Sequence, residues 1–352
     1  MTGQVAGALA GWTPVRVEWR GQEPVVEWCF TAGRAFDEPF FDQTITRCRR
    51  EPFSLLFPQH TDVSAMAAVA ASGDALPLAG LVFHSSRCGS TLVAQMLNSL
   101  RSVLVMSEPA PLQGAVAADW ACPTIDEESH LELIRATVGA LAQRRDPRQR
   151  QLVVKLDAWS VLHLPLVLNA VPGVPWVYLY RDPVEVLVSH AGHRGWHMVP
   201  GTLPPAAIGL GEGAPVGPEE YMARVLGALL AAAGVSKAGL GKRPAGAATG
   251  AAAGPGAGLL VNYRELPQAV HTRIARHFGL ELSGADHQAL ADAARRDAKN
   301  PSVAFEDDSR RKQDRATPAL RHAARRWAQP AYEKLERGRA TQIEDEMAGA
   351  AR

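Results

Sequence analysis

"HSSRCGST", His84 to Thr91, follows the apolar run Leu81–Val82–Phe83 and opens straight onto "LVAQMLNSL". A short buried strand, a turn of small residues and an immediate helix aim successive backbone N–H groups and the positive helix end at an anion. Gly89 lets the backbone approach closely, and Ser90 and Thr91 supply hydroxyls. Arg87 adds a permanent, forked donor suited to phosphate or sulfate oxygens. The lysine that nucleotide kinases place before the final Ser or Thr is missing, and Ser90 stands there. Ser86, Arg87, Cys88, Gly89, Ser90 and Thr91 are therefore the first candidate anion-binding set. The competing reading is a plain strand-to-helix turn with a surface arginine, since short glycine motifs recur by chance.

Outward from this loop, "SVLVMSEP" is a second apolar strand, and "QLVVKLD" and "VPWVYLYRDP" are further ones. Residues 91–100 and 126–145 carry a helical apolar face. Strands alternating with helices predict an α/β fold of three layers, a mostly parallel central sheet flanked by helices. Such sheets bind ligands beyond the carboxyl ends of their strands. Ser85, Glu108, Lys155, Asp157 and Arg181 all fall there.

The 352 residues divide into a cover region 1–75, a main domain 76–335 and a C-terminal tail 336–352. The first part, with Trp12, Trp19 and Trp28, reads as packed on the main domain, or as an acceptor-binding or oligomerisation module. Six Gly, seven Ala and two Pro between Gly241 and Gly258 predict a flexible surface insertion. Apolar residues make up 47%, ample for a core, and 37 basic against 36 acidic residues leave a net charge of +1. No global field draws the chain to nucleic acid or membrane. Cys29, Cys48, Cys88 and Cys122 show no paired spacing and suit a reducing cytoplasm. No signal peptide and no membrane span are expected.

A second anion grip lies at the end of "VPWVYLYRDP". Arg181 ends the strand, Asp182–Pro183 starts a helix, and Ser189 follows in its second turn. Together the two side chains can hold a phosphate from two sides.

With both grips in view, the chain resembles the sulfotransferases that use 3′-phosphoadenosine 5′-phosphosulfate (PAPS). The resemblance runs from about Leu78 to Arg315, with a gap over 201–258. It implies a P-loop NTPase-like sulfotransferase fold in which "SSRCGST" binds the 5′-phosphosulfate and Arg181 and Ser189 bind the 3′-phosphate. It also implies PAPS as donor, PAP as product, no metal, and a small-molecule acceptor carrying a hydroxyl or amine. Tyr263 and Leu266 match the family's adenine-side stretch, although Arg264–Glu265 interrupts it. "DDSRRKQDR" falls where the family closes a basic loop over the 3′-phosphate, which makes Arg310 and Arg311 candidates, with Lys312 beside them. A homodimer is compatible with this reading.

Sulfuryl transfer needs a base for the acceptor and positive charge at the departing oxygen. Glu108 is the first candidate base, and Asp157 the alternative. Family members with Lys-Thr-His after the corresponding strand use the histidine, where this chain has Lys155-Leu156-Asp157. Lys155 and Arg87 are then the cations that neutralise the departing oxygen. His190, His193 and His197 share helical spacing, but Gly192 and Gly195 interrupt it, so no metal site is expected. The alternatives are an ATP-dependent P-loop kinase, which the missing lysine opposes, and a non-catalytic nucleotide-binding protein.

Overall fold

The computed structural model describes residues 6–72, 74–211, 213, 216–239, 258–296 and 308–350. Near the N-terminus, β1 (Trp12–Arg20), β2 (Glu23–Phe30) and β3 (Gln59–Thr61) form an antiparallel sheet. Helix α1 (Phe41–Arg49) lies between β2 and β3 in sequence. Gly114 comes so close to β1 that a Cβ there would meet the Val17 carbonyl oxygen at 2.7 Å.

The main sheet contains β4 (Leu78–His84), β5 (Val103–Ser107), β6 (Gln151–Lys155), β7 (Trp176–Tyr180) and β8 (Gly258–Asn262). Its order is β5-β6-β4-β7-β8, with every pairing parallel. The side-chain alternation is strict. Leu81, Phe83, Leu152, Val154, Trp176 and Tyr178 enter one core, while Val82, Val153, Val177 and Leu179 enter the other. Period-two strands that are apolar on both faces need helices on both sides. α2 (Ser90–Asn98) covers one face. α3 (Glu127–Leu141) and α5 (Pro218–Gly239) cover the other, and α4 (Pro183–Gly192) follows β7. The expected α/β layering is therefore present.

The chain leaves β4 toward β5 and β6 on one side, then returns to β7 and β8 on the other. That reversal opens a crevice at the carboxyl end of β4. The HSSRCGST loop sits at that crevice.

The expected C-terminal tail 336–352 is helical as far as residue 350. α7 (Gln329–Ala350), which follows the short helix α6 (Ser309–Asp314), runs through it. The Gln342 amide accepts from Leu260 N at 3.0 Å and donates to Gly258 O at 2.6 Å, partnering the edge strand β8. The Gly/Ala-rich stretch lies outside the described residues except at Gly258. There a Cβ would meet Trp176 Cζ2 at 2.2 Å, so this glycine is a packing residue. Among the described residues, no helix is long and apolar enough to cross a membrane.

Candidate active site

The loop after β4 is built by an unusual backbone. Ser86, Arg87 and Gly89 take φ values of 65°, 51° and 83°. Left-handed geometry at two non-glycine positions is costly and persists where the surroundings enforce it. Here His84 does so. Its Nδ1 accepts from Ser86 N at 3.1 Å, which leaves the proton on Nε2 to donate to Leu156 O at 3.1 Å. Burial pushes the His84 imidazolium down, so the ring is neutral. Gly89 has no freedom to change, because a Cβ would meet Leu266 Cδ1 at 2.7 Å and the Tyr263 ring at 3.0 Å. Ser86, Arg87, Ser90 and Thr91 line a cavity of about 360 Å³. Cys88 points away, donating its thiol to Leu179 O at 3.2 Å in the core. Its side chain is structural.

Arg87 and Ser189 meet directly, the guanidinium Nε donating to Oγ at 2.7 Å. Sequence reading had assigned these two side chains to separate anions. Arg181 lies in a second cluster, only 4% exposed. Its Nε donates to Glu185 Oε2 at 2.6 Å. Its Nη2 donates to Asp308 Oδ1 at 2.7 Å and to Ser309 Oγ at 3.0 Å. Burial disfavours the Arg181 charge, but the Asp308 and Glu185 bonds outweigh it and raise its pKa. The guanidinium stacks 3.8 Å from the centroid of Tyr263. Lys312 closes the cluster, its Nζ 2.9 Å from Asp308 Oδ2. Arg310 and Arg311 lie exposed on α6, so Lys312 is the basic residue of this helix that turns inward.

At the ends of β5 and β6, Glu108 and Lys155 form an ion pair. Lys155 is wholly buried, lies 3.4 Å from Ser107 Oγ and sits 5.0 Å from the Phe40 ring. It is not among the cavity-lining residues, whereas Glu108 is. Lys155, expected as a cation of the site, thus stands behind Glu108 rather than in the cavity lining. Glu108 takes φ 56° and lies 3.4 Å from His84 Nε2. Burial pushes its carboxyl up, yet Lys155 and His84 override this and hold it well below the usual range.

Asp157 differs in every respect. Its Oδ1 accepts from Ala158 N at 2.9 Å, and its carboxyl also accepts from the Trp196 indole. Burial, reinforced by the Glu108 charge, raises it to about 7.

Residues 190–197 form the opposite wall. His190 Nδ1 accepts from Gly195 N at 3.1 Å, so Nε2 donates to Ser86 Oγ at 3.1 Å. His197 is buried, with no partner on Nε2, and burial pushes it down to about 4. Among the described residues no three His, Cys, Asp or Glu side chains are grouped to hold a metal. Sequence reasoning did not find Phe40 or His84. The φ-stabilising role of His84 could have been suspected from its position just before the loop.

Size alone would have chosen elsewhere. Hollows of about 520 Å³ and 430 Å³ are both larger. The first has Arg144 in its lining, already paired with Asp74 at 3.1 Å, and the second has no basic side chain in its lining.

No family model and no curated protein matches the sequence. Among solved structures, the chain is similar to the sulfotransferase domain from the curacin biosynthetic pathway at 17% identity and TM-score 0.40. That match covers 77% of this chain and 98% of that one. It is also similar to the sulfotransferase STF9 from Mycobacterium avium at 12% identity and TM-score 0.43, over 77% and 83% of the two chains. Likeness at this level assigns neither family nor chemistry to this chain, which rest on its own side chains.

Proposed function

We propose that this protein is a sulfotransferase that takes PAPS as donor and a hydroxyl or amine of a small molecule as acceptor. One observation carries the reading. Two separate cation clusters, at Arg87 and at Arg181 with Lys312, sit at the carboxyl ends of adjacent strands, and the first shares its cavity with a carboxyl poised near neutrality. A ligand with two separated anionic ends finds a cation partner for each end. The fit has an internal witness, because the Asp308 carboxylate already rests on Arg181 and Lys312 as a phosphate oxygen would. A kinase would need a lysine at Ser90.

In this reading Ser86 to Thr91 hold the phosphosulfate through backbone N–H groups, the two hydroxyls and Arg87. Arg181 and Lys312 hold the 3′-phosphate, Ser189 joins it from its place on Arg87, and Tyr263 offers its ring to the adenine. The donor, when bound, supplies the sulfuryl group. Asp157 removes the acceptor proton. It lines the cavity and titrates near the working pH, where a base combines availability with strength. Glu108 is the weaker candidate, since its Oε1 is engaged by Lys155 and its carboxyl is held ionised. It is the partner of the buried Lys155. Arg87 provides the positive charge nearest the departing oxygen. The four cysteines are free thiols, which suits a cytoplasmic protein.

A thermal-shift titration with PAP, run beside ATP with magnesium, tests the donor. Stabilisation by PAP alone supports the reading. Stabilisation by ATP with magnesium alone moves the protein to the kinases.

A further inference from the structure

Asp308 is the only carboxylate among the described residues that bridges Arg181 and Lys312. One oxygen takes Arg181 Nη2 at 2.7 Å and the other takes Lys312 Nζ at 2.9 Å. Its charge also reaches Arg87, where it supports the protonated form against burial. Three cations of the proposed donor site therefore share one internal anion. Glu185 is a different kind of partner. It is 4% exposed, sits in the first turn of α4 four residues after Arg181, and engages Nε. It stays in place while Nη2 remains available for exchange.

We infer that Asp308 occupies the seat of the nucleotide's 3′-phosphate, that a donor must displace it to bind, and that its return helps expel the product. The inference rests on the donor reading above. The segment that carries Asp308 is suited to such movement. None of the six residues of α6 is buried. The helix is tied to α4 by polar contacts instead, with Gln313 Nε2 donating to Asp182 Oδ1 at 3.1 Å and to Glu185 Oε1 at 3.2 Å. Shifting it breaks these hydrogen bonds and those from Arg321 to Gln313, and exposes no fully buried side chain of its own.

The consequence is quantitative. A ligand that binds only the open form sees its affinity reduced by the fraction open. The same competition shortens product residence, and product release often limits turnover. Asp308 would then be a residue that trades donor affinity for exchange rate.

The test measures dissociation constants and release rates of PAP and 5′-AMP with the full-length wild type, Asp308→Asn and Asp308→Ala. Inorganic phosphate is titrated in parallel. Thermal melts confirm that each variant is folded. The expected result is PAP binding about tenfold tighter, with correspondingly slower release, in both variants. Binding of 5′-AMP, which lacks the 3′-phosphate, stays within about twofold. Unchanged or weaker PAP binding in both folded variants overturns the inference while leaving the donor reading intact. If neither wild type nor variants bind PAP, the donor reading falls, and the phosphate arm decides for Asp308. Tighter phosphate binding in the variants keeps it as the occupant of an anion seat, and no gain removes it.

Discussion

The ends of β5 and β6 carry two carboxylates side by side, and their surroundings drive them in opposite directions. Glu108 ends β5 against a buried lysine, with a neutral histidine at 3.4 Å, and is held ionised. Asp157 follows β6 with an amide and an indole as donors, buried at the edge of the cavity, and is raised to about 7. Glu108 itself adds to that rise. When neighbouring acids are pushed apart in this way, one becomes a fixed charge and the other a proton carrier. The fixed charge serves the lysine, and the proton carrier serves the substrate.

The comparison breaks most readily at Asp157. Asp157→Asn should lower kcat by roughly 10²–10⁴-fold, the usual worth of a general base. In the wild type the rate should rise as pH passes through about 7, and this limb should flatten in the variant. Stability should move the other way. A raised acid binds its proton more tightly in the folded state, so its contribution is full below the unfolded carboxyl value and is lost as pH rises through about 7. Asp157→Asn should therefore melt higher than wild type at pH 8 and lose that advantage near pH 4. A variant with wild-type kcat and the same pH limb would transfer the base role to Glu108.

A smaller effect sharpens the other side. Glu108→Gln leaves Lys155 buried without its counter-charge, which should cost about 1–3 kcal/mol of stability, moderated because Glu108 is partly exposed. PAP binding should be nearly unchanged, and kcat should fall less than in Asp157→Asn. Loss of activity equal to that of Asp157→Asn, without loss of stability, would reverse the two assignments.

The sequence made the sheet legible, because strands apolar on both faces and helices between them leave few alternatives. It also placed Glu108, Lys155, Asp157 and Arg181 at one edge. It ranked Glu108 ahead of Asp157, because burial and the different reach of Lys155 and His84 to each carboxyl leave no mark in the spacing of residues. The burial of Lys155 behind Glu108 leaves no mark in "KLD". The helical stretch after 336 was missed for a related reason. Its anchors are polar contacts such as Gln342 to β8 and Glu346 to Arg273, so no apolar stripe announces it.

The finest prediction concerns three adjacent cations. Arg310, Arg311 and Lys312 succeed one another on a six-residue helix, each about 100° around the axis from the last. Only the packing of that helix on α4 decides which one faces Arg181. Lys312 does, and both Arg87 and Arg181 depress its pKa, although burial is the larger cause and Asp308 opposes it. A cation held close to two others gains when a phosphate arrives to neutralise all three. Lys312→Ala should therefore weaken PAP binding by about 1.5–3 kcal/mol, as expected for a charged hydrogen bond. Arg310→Ala, which removes an exposed charge, should leave it within about twofold. Titration calorimetry at two ionic strengths separates the cases, because a loss at Arg310 that vanishes in salt is long-range attraction alone. An equal, salt-resistant loss at Arg310 would mean that α6 turns its other face to the nucleotide.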